Sequence, residues 1–270
     1  MLGGLGFSPR ASEQTVECPV SFIQNSVALA FRTLPPEVCT VVVNETKEQT
    51  LSFDRRGPVA PKARPGGFYT RRGKRLLDLV LVIPLLLVAF PVILLAILAV
   101  VLSSGWPPFY CARRLGRNGH EFSMWKIRTM VRTADSAMQR WVETHPELAE
   151  EYRHDFKLKD DPRVTRLGRF LRRSSIDELP QLWNVFCGQM SLVGPRPIVW
   201  DELRYYGSAA EEFLTARPGV TGAWQVNGRN RISYPARAAL ELDYSRSIRF
   251  SSDLRLLVKT VAVPTRFDGL

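Results

Sequence analysis

The chain has 270 residues, 45% of them hydrophobic, so it is long and apolar enough to form a packed core. Its formal net charge of +11 favours an anionic partner: a nucleic acid, an acidic membrane surface or a phosphorylated substrate. Its four cysteines are scattered without a C-x-x-C spacing, which indicates free thiols in a reducing compartment rather than a disulfide framework.

Residues 1–67 are predicted to form a separate, poorly ordered extension. They contain a short β-type run at 41–43 and end in a linker rich in Pro, Gly and basic residues at 55–67. They lack the residue order of a secretion signal, so we expect the extension to stay in the cytosol. No function is predicted for it.

Residues 79–102 carry no charged or polar side chain. A helix of this length reaches about 36 Å, and the apolar core of a bilayer is about 30 Å thick. We therefore predict a membrane-inserted helix, in a membrane domain at 68–105.

Two courses through the membrane are open for this helix. Basic residues flank it on both sides, whereas a straight span usually carries most of them on its cytoplasmic side. Pro84 and Pro91 each remove a backbone donor and favour a bend. These features are compatible with a helix that spans the bilayer and with one that enters and leaves on the same face.

Residues 106–270 are predicted to form the remaining domain. Apolar residues spaced through 132–156 predict amphipathic helices interrupted near Pro146. Near the C-terminus, one helical face carries four apolar residues: Leu254, Leu257, Val258 and Val261. This face suits either a membrane interface or core packing.

Two adjacent carboxylates, Asp177 and Glu178, stand out in the segment 160–197, DDPRVTRLGRFLRRSSIDELPQLWNVFCGQMSLVGPRP. A structural interpretation is a capping box, in which Ser175 and Glu178 cap a helix. A functional interpretation is that one carboxylate attacks a phosphorus atom while the other holds a divalent cation. The neighbouring arginines, and Arg196 between two prolines, would then bind phosphate.

From residue 74 onward the chain resembles the bacterial sugar transferases, which are monotopic polyprenyl-phosphate phosphoglycosyl transferases. The matching stretches, in family order, are KRLLD (74–78), FSMWKIRTM (122–130), DPRVTRLGRFLRRSSIDELPQLWNV (161–185), GQMSLVGPRP (188–197), RPGVTGAWQVNGRN (217–230) and the spaced Asp253 and Thr260. Within the family, the likeness is to galactose- or glucose-1-phosphate transferases that initiate exopolysaccharide synthesis.

This resemblance implies a role for each matching residue. Asp177 would form a covalent aspartyl-phosphosugar, and Glu178 would bind Mg²⁺. Donor or lipid phosphates would be bound at the matching polar positions: Lys126, Arg172, Arg196, Arg229, Asn230 and Arg114. The substrates would be a UDP-sugar and undecaprenyl phosphate, the products UMP and undecaprenyl-diphosphate-sugar, and further candidate partners are other polysaccharide-assembly enzymes.

The resemblance also implies a re-entrant helix, because Pro91 matches the proline at which the family's membrane helix breaks. The sequence departs from the family pattern at Phe90, where a serine is usual, and at Ala112, where many relatives carry glutamine. Arg114 and Gly116 of the same motif are retained. The departure at Ala112 puts a donor contact at that position in question.

Three other functions fit the sequence less well. A nucleic-acid-binding protein is disfavoured because there is no helix-turn-helix, RNP or zinc-ligand pattern. A P-loop kinase is disfavoured because the GxxxxGK[ST] loop is absent. A non-catalytic membrane scaffold for polysaccharide assembly is the main alternative, and the intact pair at 177–178 argues against it.

The predicted fold is a helix-rich α+β catalytic domain that carries one re-entrant, proline-broken helix and interfacial amphipathic helices. We expect the enzyme at the cytoplasmic face of the bacterial inner membrane, with galactose as the first candidate sugar and glucose as the second.

Overall fold

The computed structural model describes residues 67–134, 161–228 and 232–262. Three predicted features lie outside these ranges: the extension up to residue 66, most of the stretch at 132–156, and the pair Arg229 and Asn230. Within them, helices alternate with short strands. The prediction of a helix-rich α+β fold with one long apolar helix is confirmed.

The apolar segment forms one long helix, α1, over Lys74–Ser104, which follows a π-helical turn at Tyr69–Gly73. By length and composition, Tyr69–Ser104 is able to cross a membrane. Pro84 and Pro91 lie inside α1 without interrupting it. Because a helix can bend at a proline and remain helical, the re-entrant course stays a prediction.

One side of α1 packs against the rest of the protein. The buried positions share one helical face, and they are Asp78, Val82, Ala89, Ala96 and Val100. The other sides of α1 expose large apolar side chains, up to 78% of the residue surface at Leu102. An exposed apolar surface of this extent favours contact with lipid.

After α1, the strands β1 (Phe109–Leu115) and β2 (Glu121–Ile127) form an antiparallel hairpin. The chain continues through α2 (Arg166–Arg173), α3 (Gln181–Phe186), β3 (Ser191–Val193), α4 (Ala210–Leu214), β4 (Gly219–Thr221), α5 (Ala223–Val226), α6 (Tyr234–Arg246) and α7 (Phe250–Ala262). β3 and β4 pair in parallel. Short 3₁₀ segments lie at Ile176–Glu178 and Trp200–Ala209.

The main core lies where α1 meets the hairpin and α3. Val82 and Ala89 from α1 pack there with Phe122 and Met124 from β2 and Val185 from α3. A second cluster joins Ile198, the segment Trp200–Ala209, α4 and α6. The long apolar helix is therefore part of the core of the described domain.

The apolar face of α7 divides between core and surface. Leu257 packs against the main core, but Leu254, Val258 and Val261 are exposed, with 79% of the residue surface accessible at Val261. Core packing is therefore the wrong explanation for these three residues. Their exposure leaves a membrane interface as the interpretation to pursue.

A buried ion pair fastens the start of α1 to α7. Lys74 Nζ lies 2.5 Å from Asp253 Oδ2, and both side chains are largely buried. The hydroxyls of Tyr69 and Tyr244 donate to the same carboxylate at 2.5 and 2.6 Å. Three donors thus satisfy one buried carboxylate, which offsets the cost of removing its charge from water.

We expect Asp253→Ala to destabilise the protein by about 3–5 kcal/mol, because the buried ammonium of Lys74 would lose its ion-pair partner. Thermal unfolding in detergent micelles measures the effect. Glu212→Ala is the control, since it breaks an exposed ion pair with Arg246 and should change the melting temperature little. Equal losses in the two variants would contradict this account.

Candidate active site

The carboxylate pair lies in a tight turn between α2 and α3. Ser175 adopts φ = 57°, in the left-handed region, and Ile176–Glu178 then form one 3₁₀ turn. The side chain of Ser175 makes no capping hydrogen bond, so the capping-box interpretation is wrong. A left-handed φ at a residue other than Gly, Asn or Asp costs free energy, and such strain is typical of functional sites.

Lys126, on β2, holds the second carboxylate of the pair. Its Nζ lies 2.8 Å from Glu178 Oε1, and both side chains are partly exposed. The structure therefore brings together Lys126, a predicted phosphate-binding residue, and Glu178, a predicted Mg²⁺ ligand. A cation and a carboxylate at the rim of a buried site are suited to contact a substrate phosphate.

Arg172 is held on the other side of the turn by Thr129. Its Nε donates a 2.9 Å hydrogen bond to Thr129 Oγ1. The close packing depends on Gly168 in α2, because a Cβ there would lie 2.0 Å from the Thr129 carbonyl oxygen. Thr165 caps α2 through a 2.8 Å bond from the Gly168 amide, which fixes the helix that carries Arg172.

Asp177 is the buried member of the pair, with 6% of its surface exposed. Burial raises the pKa of its carboxyl to about 6. The charges of Lys126 and Arg172 oppose this rise, and the charge of Glu178 adds to it. At neutral pH, Asp177 is thus mainly ionised but poorly solvated, which suits a nucleophile.

Arg172 responds to the same surroundings. Burial lowers the pKa of its guanidinium, and the charge of Asp177 is the strongest effect that opposes this. Lys126, Arg172, Asp177 and Glu178 therefore interact electrostatically as one group. Two cations beside two carboxylates can bind a diphosphate that the carboxylates alone would repel.

Arg196 lies in a second cluster, three residues after the end of β3. Its backbone amide donates a 3.1 Å hydrogen bond to Glu241 Oε1. Its guanidinium lies over the ring of Trp224, 5.5 Å from the ring centroid. The structure thus positions Arg196 through residues of α5 and α6 rather than through the turn that carries Asp177.

The other predicted binding residues are less informative. Arg114 lies in β1 opposite Phe122, and its Nη1 donates a 3.2 Å bond to the Arg113 carbonyl. Arg229 and Asn230 lie outside the described residues. Their assignment as binding residues stays a prediction.

The carboxylate pair fits one mode of Mg²⁺ binding. No group of three or more His, Cys, Asp or Glu residues that could form a complete metal site occurs in residues 67–134, 161–228 and 232–262. Mg²⁺, however, is commonly held by one or two carboxylates and completed by substrate phosphates and water. Glu178, adjacent to Asp177 and partly exposed, suits that mode.

Residues 69–266 match the sequence profile of the bacterial sugar transferases. The chain belongs to this family. The resemblance drawn from the motifs is therefore confirmed, and the match includes α1 and every site residue named above.

Three relatives with similar sequences differ in their identity to this chain. The exopolysaccharide production protein ExoY of Sinorhizobium fredii is 45% identical over 70% of this chain and 83% of its own length. The undecaprenyl-phosphate galactose phosphotransferase of Salmonella typhimurium is 42% identical over 73% of this chain, but only 41% of its own length is covered. The UDP-glucose:undecaprenyl-phosphate glucose-1-phosphate transferase of Caulobacter vibrioides is 38% identical over 73% of each chain.

Two polar residues of the sites were missed by the sequence analysis. Thr129 lies inside a quoted family stretch but carries no charge that would have singled it out. Glu241 lies four residues after Arg237 on α6, a spacing that indicates a helical ion pair. That spacing gave no indication of the contact with Arg196, 45 residues earlier.

Replacing Asp177 with Asn is expected to stabilise the protein at pH 7 in the presence of EDTA. Asp177 has a pKa of about 6 in the folded protein, above its ordinary value of 3.8, so its ionisation opposes folding. The difference corresponds to about 3 kcal/mol. Because the folded pKa is raised, the wild type recovers this stability as pH falls from about 6 to 4, and the advantage of the variant disappears.

Thermal unfolding of both proteins between pH 4 and 8 tests this expectation. Asp243→Asn, at an exposed position on α6, controls for the substitution itself. Parallel curves for wild type and Asp177→Asn over this range would mean that burial does not perturb the carboxyl.

Proposed function

We propose that the protein transfers a sugar-1-phosphate from a UDP-sugar to undecaprenyl phosphate and releases UMP, as the first step of exopolysaccharide repeat-unit assembly. The observation that carries the proposal is the buried carboxylate of Asp177, which lies beside Lys126 and Arg172. Burial raises its pKa to about 6, although the charges of these two cations oppose the rise. In a member of the bacterial sugar transferase family, this arrangement suits a nucleophile that attacks phosphorus.

The reaction proceeds in two displacements. A carboxylate oxygen of Asp177 bonds to the phosphorus that carries the sugar, the bond from that phosphorus to the bridging oxygen breaks, and UMP leaves. An oxygen of undecaprenyl phosphate then attacks the same phosphorus. This step yields undecaprenyl-diphosphate-sugar and restores the Asp177 carboxylate.

The surrounding cations make the first attack feasible. A carboxylate and a diphosphate repel each other, and the repulsion is large in a buried site. Lys126 and Arg172 lie in fixed positions, so they stabilise charge on the phosphate without reorganising during the reaction. Mg²⁺, held by Glu178 and the phosphate oxygens, would supply the remaining neutralisation.

The proposed acceptor is a lipid, and the exposed apolar surfaces of α1 and α7 support a position of the site beside a membrane. We propose that α1 is re-entrant, because both of its ends bind the same domain. At its start Lys74 pairs with Asp253, and at its end Arg128 Nη2 donates to the carbonyls of Ser104 and Gly105 at 2.9 and 2.6 Å. A straight span would separate these ends by the thickness of the bilayer.

In this topology the domain lies at the cytoplasmic face of the inner membrane, where the soluble donor is available. The exposed stripe of α7 would lie in the interface. Galactose is the first sugar to test, because relatives from Salmonella typhimurium and Erwinia amylovora are a galactose phosphotransferase and a UDP-galactose-lipid carrier transferase. Glucose follows, by analogy with the Caulobacter vibrioides relative.

UMP release from UDP-galactose, UDP-glucose and other UDP-sugars tests the proposed reaction. Purified protein in membranes with Mg²⁺ and undecaprenyl phosphate should release UMP from one preferred donor. Asp177→Asn should release none, because an amide cannot act as the nucleophile, and EDTA should suppress the wild-type reaction. Normal UMP release by Asp177→Asn would overturn the mechanism, and no release by the wild type would favour a scaffold.

Cysteine labelling tests the re-entrant course. In a chain whose four native cysteines are replaced by serine, single cysteines are introduced at Arg72 and Trp106, the exposed positions that flank α1. A membrane-impermeant maleimide should label both from the same face as a control cysteine at the exposed Arg113 of the catalytic domain. Labelling of the two flanking positions from opposite faces would rule out the re-entrant form.

A further inference from the structure

The carboxylate of Glu241 is buried, lies outside the turn that carries Asp177, and contacts Arg196, a predicted binding residue. None of its surface is exposed. One oxygen accepts the backbone amide of Arg196 at 3.1 Å, and the other accepts the hydroxyl of Tyr206. Arg237, one helical turn earlier on α6, has its Nε 4.0 Å from the same carboxylate.

The side chain of Arg196 shares an aromatic ring with a second arginine. The guanidinium carbons of Arg196 and Arg237 lie 5.5 and 4.4 Å from the ring centroid of Trp224. Each gains cation–π attraction, but the two positive charges repel each other. Burial, followed by the charge of Arg196, lowers the pKa of Arg237.

Glu241 is placed to counter this repulsion. Its carboxylate lies beside Arg237 and also accepts the backbone amide of Arg196. Burial raises the pKa of this carboxyl, and the hydrogen bond from Tyr206 and the charge of Arg237 oppose the rise. Pro195 and Pro197 restrict the backbone on both sides of Arg196. The backbone of Arg196 is therefore held by Glu241, and its side chain is held by Trp224. Glu241 also contacts Arg237, whose charge would otherwise repel Arg196.

We propose that Glu241 is a positioning residue, which holds Arg196 where its guanidinium can bind a phosphate of the nucleotide donor. This inference rests on the proposed function and adds to it a residue that contacts no substrate itself. If the proposal is right, a change at Glu241 affects donor binding only through Arg196. If Glu241 is only structural, the same change lowers the stability of the protein and affects donor binding whether or not Arg196 is present.

A double-mutant cycle on UMP release distinguishes the two roles. Glu241→Gln keeps the size and an acceptor oxygen but removes the charge that neutralises Arg237. We expect the KM for the UDP-sugar to rise roughly tenfold or more, because a small displacement of a binding group is costly. The melting temperature is expected to fall, because Arg237 loses its buried counter-charge. KM and kcat are therefore compared at a temperature at which both proteins are fully folded, and kcat should change less than KM.

In an Arg196→Ala background, the same change at Glu241 should have little further effect on KM. An undiminished effect in that background would overturn the proposal, and so would a loss of activity that follows a loss of folded protein. Asp243→Asn, which removes an exposed carboxylate from the same helix, is the control for charge and should leave KM unchanged.

Tyr206→Phe provides a second test if Glu241→Gln folds poorly. It removes one donor to Glu241 and retains the ring, so KM should rise by a smaller factor and again only when Arg196 is present. UMP release by the wild type reports separately on the proposed reaction. If the wild type releases UMP but the changes at Glu241 and Arg196 affect KM independently, the positioning role of Glu241 is wrong and the proposed reaction still stands.

Discussion

The ion pair between Lys126 and Glu178 joins the β-hairpin to the turn that carries Asp177, across 52 residues of chain. It orders Glu178, places a positive charge near Asp177, and defines one side of the site. Arg172 defines another side through Thr129. Without these cations, two adjacent carboxylates beside a diphosphate would be strongly repulsive, so the chemistry depends on contacts between distant segments.

The long apolar helix packs into the rest of the described chain and is not a separate segment. Its start is held by Asp253, and Arg75 caps the end of α3 by donating to the carbonyls of Val185 and Phe186 at 2.6 and 2.8 Å. Val82 and Ala89 contribute to the same core as the hairpin. A change in the packing of this helix would therefore reach the turn that follows α2.

Much of this arrangement could be predicted from local sequence. Uniform apolar composition predicted α1, and two adjacent carboxylates among arginines predicted the site. The Ser175 capping box failed because its residue pattern is also compatible with a left-handed Ser175, which spacing does not reveal. The apolar face of α7 was ambiguous because helical periodicity is the same whether a face meets lipid or core. The contact of Glu241 with Arg196 depends on tertiary packing and has no local signal.

The strand that precedes Arg196 is connected to the long apolar helix. Asp78 of α1 accepts hydrogen bonds from Ser191 Oγ at 3.0 Å and from the Leu192 amide at 2.9 Å, at the start of β3. The hydroxyl of Tyr244, which donates to Asp253, lies 3.2 Å from the Val193 carbonyl oxygen at the end of that strand. Arg196 follows three residues later. The strand that precedes Arg196 is thus fixed at both ends by residues that also hold α1, so one network positions this strand and the long apolar helix relative to each other.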